Sequence, residues 1–118
     1  MRFHIPIRLP SLANSRMHWR RLARLKRQQR GATLYCMYGK QLPAVGVPLT
    51  VTITRIGPRR LDDDNLASAC KYVRDQIAAV IGVDDGSPLY TWKYAQRVSS
   101  NRYKYGVDVE IVERMVTT

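Results

Sequence analysis

Leu49-Thr50-Val51-Thr52-Ile53-Thr54 alternates apolar residues with threonine, and after a turn at Gly57-Pro58 the chain reads Asp62-Asp63-Asp64-Asn65-Leu66. The alternation is the period of a half-buried strand, and its β-branched residues suit one. From Leu66 to Ile81 the period changes. Leu66, Ala69, Cys70, Val73, Ile77 and Val80 fall on one side of a helix, which needs a sheet or another helix to cover it. Strand, turn and amphipathic helix together predict a layered domain built on a sheet.

The flanking segments extend this reading. Phe3-His4-Ile5-Pro6-Ile7-Arg8-Leu9 alternates as a strand, and Pro6, which cannot donate to a ladder, assigns it to an edge or a bulge. Pro10 to Ser15 is a loop with Ser11, Asn14 and Ser15 as candidate caps. A helix follows from Arg16 to Tyr38, weakened in its middle by Gly31. Gly39 to Pro48 is a connector punctuated by Gly and Pro. Gly82 stands just past the second helix. Two strands, Leu89–Val98 and Tyr103–Val112, are expected to pair through a hairpin turn at Ser99-Ser100-Asn101. The order β-α-β-α-β-β over residues 1–118 is a single α+β domain, with two helices on a small, mostly antiparallel or mixed sheet.

Charge is distributed very unevenly. Residues 1–61 hold 13 of the 20 Lys and Arg and none of the nine acids, within a net charge of +11 and a pI near 10.3. Such an excess points to nucleic acid ahead of an acidic protein partner. The hydrophobic fraction of 45% argues against wholesale disorder. Arg2 and His4 are followed by no apolar run of signal-peptide length. The least polar stretch, Gln41 to Thr54, is broken by Pro43, Gly46 and Pro48 and cannot span a bilayer. Cys36 and Cys70 form no CxxC or Cys/His cluster, so a zinc site is not expected and reduced cytoplasmic thiols are.

Against that background the aspartate triplet needs a reason. Adjacent carboxylates repel one another, at a cost of up to about a few kcal/mol that a cation relieves. Hard oxygen donors beside a polyanion suit a divalent ion. Counting about 100° per residue from Asp64, Ser68, Lys71 and Asp75 fall within about 40° of it, opposite the apolar face. The competing reading makes Asp64 or Asn65 a helix cap and Lys71 with Asp75 a solvated pair. An EF-hand loop does not fit, because Ala67 stands where the turn glycine belongs. Asp84-Asp85, in Gly82-Val83-Asp84-Asp85-Gly86, reads by itself as a helix end followed by an Asp-Gly turn.

Arg59-Arg60-Leu61-Asp62-Asp63-Asp64-Asn65-Leu66, then Lys71 and Asp75, then Gly82-Val83-Asp84-Asp85, together resemble the RusA family of Holliday junction resolvases. The stretch Leu9-Pro10-Ser11-Leu12-Ala13-Asn14-Ser15-Arg16-Met17-His18 is similar to that family's loop into a basic helix. The resemblance implies a small homodimeric endonuclease, often phage- or prophage-encoded, in the cytoplasm of a bacterial host. Such an enzyme uses Mg²⁺, or Mn²⁺ in its place, to cut four-way DNA junctions by paired symmetric nicks. It implies Asp62, Asp64 and Asp85 as catalytic metal ligands, Asp84 as an auxiliary acid and Asn65 as a residue that sets the helix start. The family's lysine position is occupied here by Ser68. Lys71, one turn further on, takes its place as the residue that would neutralise the scissile phosphate.

Arg16, Arg20, Arg24 and Arg27 recur at helical spacing, with Arg21, Lys26 and Arg30 beside them and no acid to pair with. They are the expected DNA surface, joined by Arg59 and Arg60. His18 and Trp19 sit among these arginines, as phosphate contact or as packing. Tyr90, Trp92 and Tyr94 alternate along one strand and read as core or interface ahead of a base-stacking platform. A two-fold dimer would match the symmetry of a four-way junction, with the strand pairs and Val47–Ile56 as candidate interfaces. A catalytically silent DNA-binding protein and a Mg²⁺-dependent phosphohydrolase acting on nucleotides or RNA are the alternatives.

Overall fold

The computed structural model describes residues 1–12, 18–82, 84, 86–102 and 104–114. Along the chain run β1 (Arg2–Ile5), α1 (Trp19–Met37), β2 (Leu49–Gly57), α2 (Asp63–Ala69), α3 (Lys71–Ile81), β3 (Tyr90–Val98) and β4 (Gly106–Glu113). Among the described residues the strands form one mixed sheet in the order β1-β4-β2-β3. β4 runs antiparallel to both β1 and β2, while β2 and β3 are parallel, with Leu49 opposite Tyr90 and Gly57 opposite Val98. Parallel neighbours need a crossover, and α2 with α3 supplies it. The fold is α+β, as the pattern of elements predicts.

The connection between the last two strands is not the hairpin expected at Ser99-Ser100-Asn101. β3 and β4 are not neighbours; the chain passes the end of β2, where the Ser99 N–H donates to the Gly57 carbonyl at 2.8 Å. Burial explains the order. Val107, Val109 and Ile111 of β4 are all buried and belong in a central slot. The exposed Lys93 and Arg97 suit β3 to an edge, where one side of the strand meets solvent. β1 is the other edge, and Pro6 lies just past its end, where no ladder bond is lost.

Helices cover one face of the sheet. Phe3, Ile5, Leu49, Val51, Ile53, Tyr90, Val107, Val109 and Ile111 pack there against Leu66, Ala69, Cys70, Val73, Ile77 and Ile81. Trp92 and Tyr94 join that cluster from the same side of β3, so the aromatic row belongs to the core. Ile7 and Leu9 continue the buried alternation beyond β1. The opposite face is polar. There the Asp108 carboxylate bridges the His4 ring and the Arg97 guanidinium, and Arg2 pairs with Glu110. The His4 ring lies so close over Gly106 that any Cβ at that position would collide with it.

The single helix expected over Leu66–Ile81 is two. Cys70 (φ −86°, ψ −2°) closes α2, and its carbonyl accepts from the Arg74 N–H at 2.9 Å to open α3. The polar stripe is thereby divided, with Asp64 and Ser68 on α2 and Lys71 and Asp75 on α3. Gly82 ends α3 in the left-handed conformation (φ 85°), which favours glycine.

Candidate functional site

The segment that carries the aspartates leaves the C-terminal end of β2 and is held from three sides. Arg55 is in phase with the buried residues of β2 and is only 6% exposed. Its Nε donates to the Leu9 carbonyl and its Nη1 to the Arg59 carbonyl, both at 2.8 Å. Gln96, opposite Arg55 on β3, clamps the chain two residues on: it accepts from the Leu61 N–H at 2.9 Å and donates to the Leu61 carbonyl at 2.7 Å. Asp62 is the third hold. Its Oδ1 accepts from the Asn65 N–H at 2.9 Å and caps α2, a role expected of Asp64 or Asn65.

Asp62, Asp63 and Asp64 are all exposed, as are Arg59 and Arg60 before them. Asp63 and Asp64 stand in the first turn of α2, where the helix dipole favours negative charge. None of the three forms an ion pair among the described residues. Lys71 is exposed at the first position of α3, Asp75 is half-buried, and the two do not form the pair that a solvated face would show.

Asp84 lies elsewhere. A crossover between parallel strands returns the chain to the end of the sheet where β2 began, so Asp84 precedes the start of β3 while Asp62 follows the end of β2. Its Oδ1 accepts from the Gly86 N–H at 3.0 Å, an Asp-Gly turn. Asp85 lies outside the described residues. Among those described, no group of three or more His, Cys, Asp or Glu is placed to hold a metal ion.

The basic surface is α1. Arg20, Arg21, Arg24, Lys26 and Arg27 are exposed, whereas Arg30 is half-buried and its Nε donates to the Gln76 side chain of α3 at 2.9 Å. Arg16 lies outside the described residues. His18 is the N-cap, its Nδ1 accepting from the Arg20 N–H at 3.2 Å, and it stacks on Trp19 with ring centroids 5.6 Å apart. α1 packs on α3 and β1. Arg55 links the two candidate segments: one guanidinium holds the chain shortly before the basic helix and the chain just before the aspartates.

Arg55 and Gln96 were not singled out by the sequence, although a signal was there. Arg55 continues the series Leu49, Val51, Ile53, and Gln96 continues Tyr90, Trp92, Tyr94, so each is a polar residue on a buried phase. Such residues are inside because something needs their hydrogen bonds. Burial lowers the Arg55 pKa from its ordinary value. It also pushes the neighbouring Cys70 thiol up to about 12, the charge of Arg55 opposing this weakly.

No protein-family model, curated protein or solved structure significantly matches this chain.

Proposed function

We propose that this protein is a divalent-metal-dependent, structure-selective endodeoxyribonuclease that acts on four-way DNA junctions as a homodimer. The observation that carries the reading is the exposed triplet Asp62-Asp63-Asp64. It has no cation partner among the described residues, is fixed by three backbone anchors, and opens a helix in a chain of net charge +11. Carboxylate oxygens are the donors that Mg²⁺ prefers, so the chemistry of the donor set fits such an ion. Asp62 and Asp64 would hold it, since both stand at the start of α2.

When bound, Mg²⁺ supplies Lewis acidity at the scissile phosphate and a water made nucleophilic at neutral pH. The chain's own residues do the rest. Lys71, exposed at the start of α3, would neutralise charge that builds on the phosphate oxygens. Arg59 and Arg60 would bind neighbouring phosphates beside the triplet, and Arg20, Arg24 and Arg27 would hold the duplex arm. Arg55 and Gln96 would keep the Arg59–Asp62 backbone from shifting when DNA binds.

The deciding experiment is cleavage of a synthetic four-way junction in Mg²⁺ and in EDTA, with wild type beside Asp64→Asn. Asp64 is the right choice because it does not provide the cap. Cleavage that needs Mg²⁺ and falls about a hundredfold or more in the variant, with junction binding retained, is the expected outcome. Full activity in Asp64→Asn, or in EDTA, would overturn the reading. A catalytically silent DNA-binding protein is the second reading, favoured by the structural roles of Asp62 and Asp84. It expects junction binding with no nicking under either condition.

A further inference from the structure

The solvent face of α1 changes character halfway along. Arg20, Arg24, Arg27, Gly31, Tyr35 and Tyr38 succeed one another three or four residues apart and so share one face. The buried residues Gln29, Thr33 and Met37 lie opposite. The first half of this face is three exposed guanidiniums. The second half is two phenol rings that are among the most exposed large side chains described, Tyr35 at 82% and Tyr38 at 87%, with Leu34 beside them at 49%. Between the halves, Gly31 leaves the backbone bare. A Cβ there would meet nothing within 4 Å, so the fold does not ask for glycine, and glycine inside a helix costs about 1 kcal/mol against alanine.

Two tyrosines one turn apart, with Leu34 beside them, group aromatic and apolar surface that a partner can cover. Six Lys and Arg and no acid between residues 19 and 37 exclude a basic partner and favour a polyanion. Duplex DNA offers phosphates to such a face but keeps its base faces stacked. Unpaired nucleotides offer both phosphates and open base faces, in the sequence-tolerant manner of aromatic platforms. From Arg20 to Tyr38 the face is about 27 Å long, enough for several nucleotides.

We propose that Tyr35 and Tyr38 form a stacking platform for unpaired nucleobases, continuous with a phosphate track made by Arg20, Arg24 and Arg27. The platform deepens the nuclease reading by giving α1 a preference for DNA with bases out of the stack, as at a branch or a single-stranded arm. It rests on that reading only for the identity of the substrate.

The test is binding by the full chain, in EDTA so that nothing is cut, to end-labelled oligothymidylate and to a fully paired duplex of the same length. Tyr35→Ala/Tyr38→Ala should lose at least about fivefold in affinity for the single strand per base stacked, and stay within about twofold on the duplex. Tyr35→Phe/Tyr38→Phe keeps the rings and should bind both probes as wild type does. Arg24→Ala/Arg27→Ala should weaken both probes. Equal losses on the two probes, or none, in the alanine pair would overturn the platform. If the arginine variant still loses binding, the role of α1 in DNA contact survives without it. Wild-type binding by both variants would remove α1 from the DNA surface while leaving metal-dependent cleavage to its own assay. A sedimentation shift of the free alanine pair with single-strand affinity intact would assign the rings to a second copy of the chain and overturn the proposal.

Discussion

A guanidinium buried away from carboxylates must find neutral acceptors, and Arg55 finds two main-chain carbonyls in separate segments, Leu9 and Arg59. A lysine ammonium in its place has neither the fork nor the span to satisfy both. Arg55→Lys is therefore expected to lower stability by about 1–3 kcal/mol in urea unfolding, and to lower junction cleavage beyond what the lost stability explains. Unchanged unfolding would show that the two carbonyls find other donors. The Cys70 thiol is held up to about 12 by burial, against an ordinary 9.0. The unfolded chain thus releases this proton first, and stability falls as pH rises from about 9 toward 12. Melting followed across that window should show the decline, and a thiol reagent at neutral pH should label Cys36 and spare Cys70 until the chain unfolds. Labelling of Cys70 in the native protein would contradict its burial.

At the level of elements, α2 begins with a residue that has two duties. Asp62 caps the helix and is a proposed metal ligand, so its removal confounds structure with chemistry. Asp62→Ala should cost about 0.5–2 kcal/mol of stability, whereas Asp62→Asn keeps an acceptor for the Asn65 N–H and should cost little. If both variants lose cleavage alike and only the first melts early, the carboxylate charge is needed for chemistry. Early melting of both would reduce Asp62 to its cap. Helical periodicity named the faces of this region correctly but could not locate the joint at Cys70, since no Gly or Pro marks it. The hairpin reading failed for a different reason. Two strands adjacent in sequence are good candidates for pairing, but here the most apolar slot lay on the far side of β2, and only β4 carries enough buried valine and isoleucine to fill it. Arg55 and Gln96 could be recognised as polar residues on buried phases, yet their partners are loop backbone that no periodicity describes.

For the whole molecule the dominant fact is the segregation of charge, with all of the acids after residue 61. If Arg20, Arg24, Arg27, Arg59 and Arg60 each engage one duplex phosphate, log K should fall with log salt at a slope near −4.5. Arg24→Ala should reduce that slope by about 0.9 and weaken binding to all sequences alike. An unaltered slope would remove Arg24 from the DNA surface. The sheet order carries a further consequence, for the time course of folding. β4 is the last strand of the described chain, yet it occupies the slot between β1 and β2, and β1 pairs with it alone. The β2–α2–α3–β3 unit can close early from nearby contacts, while β1 waits for a partner more than a hundred residues away, as the His4–Asp108 contact records. On a ribosome that adds about 5–20 residues per second, β1 is made before the other described strands and is expected to pair after them, leaving the β1 flank of the basic helix to close late.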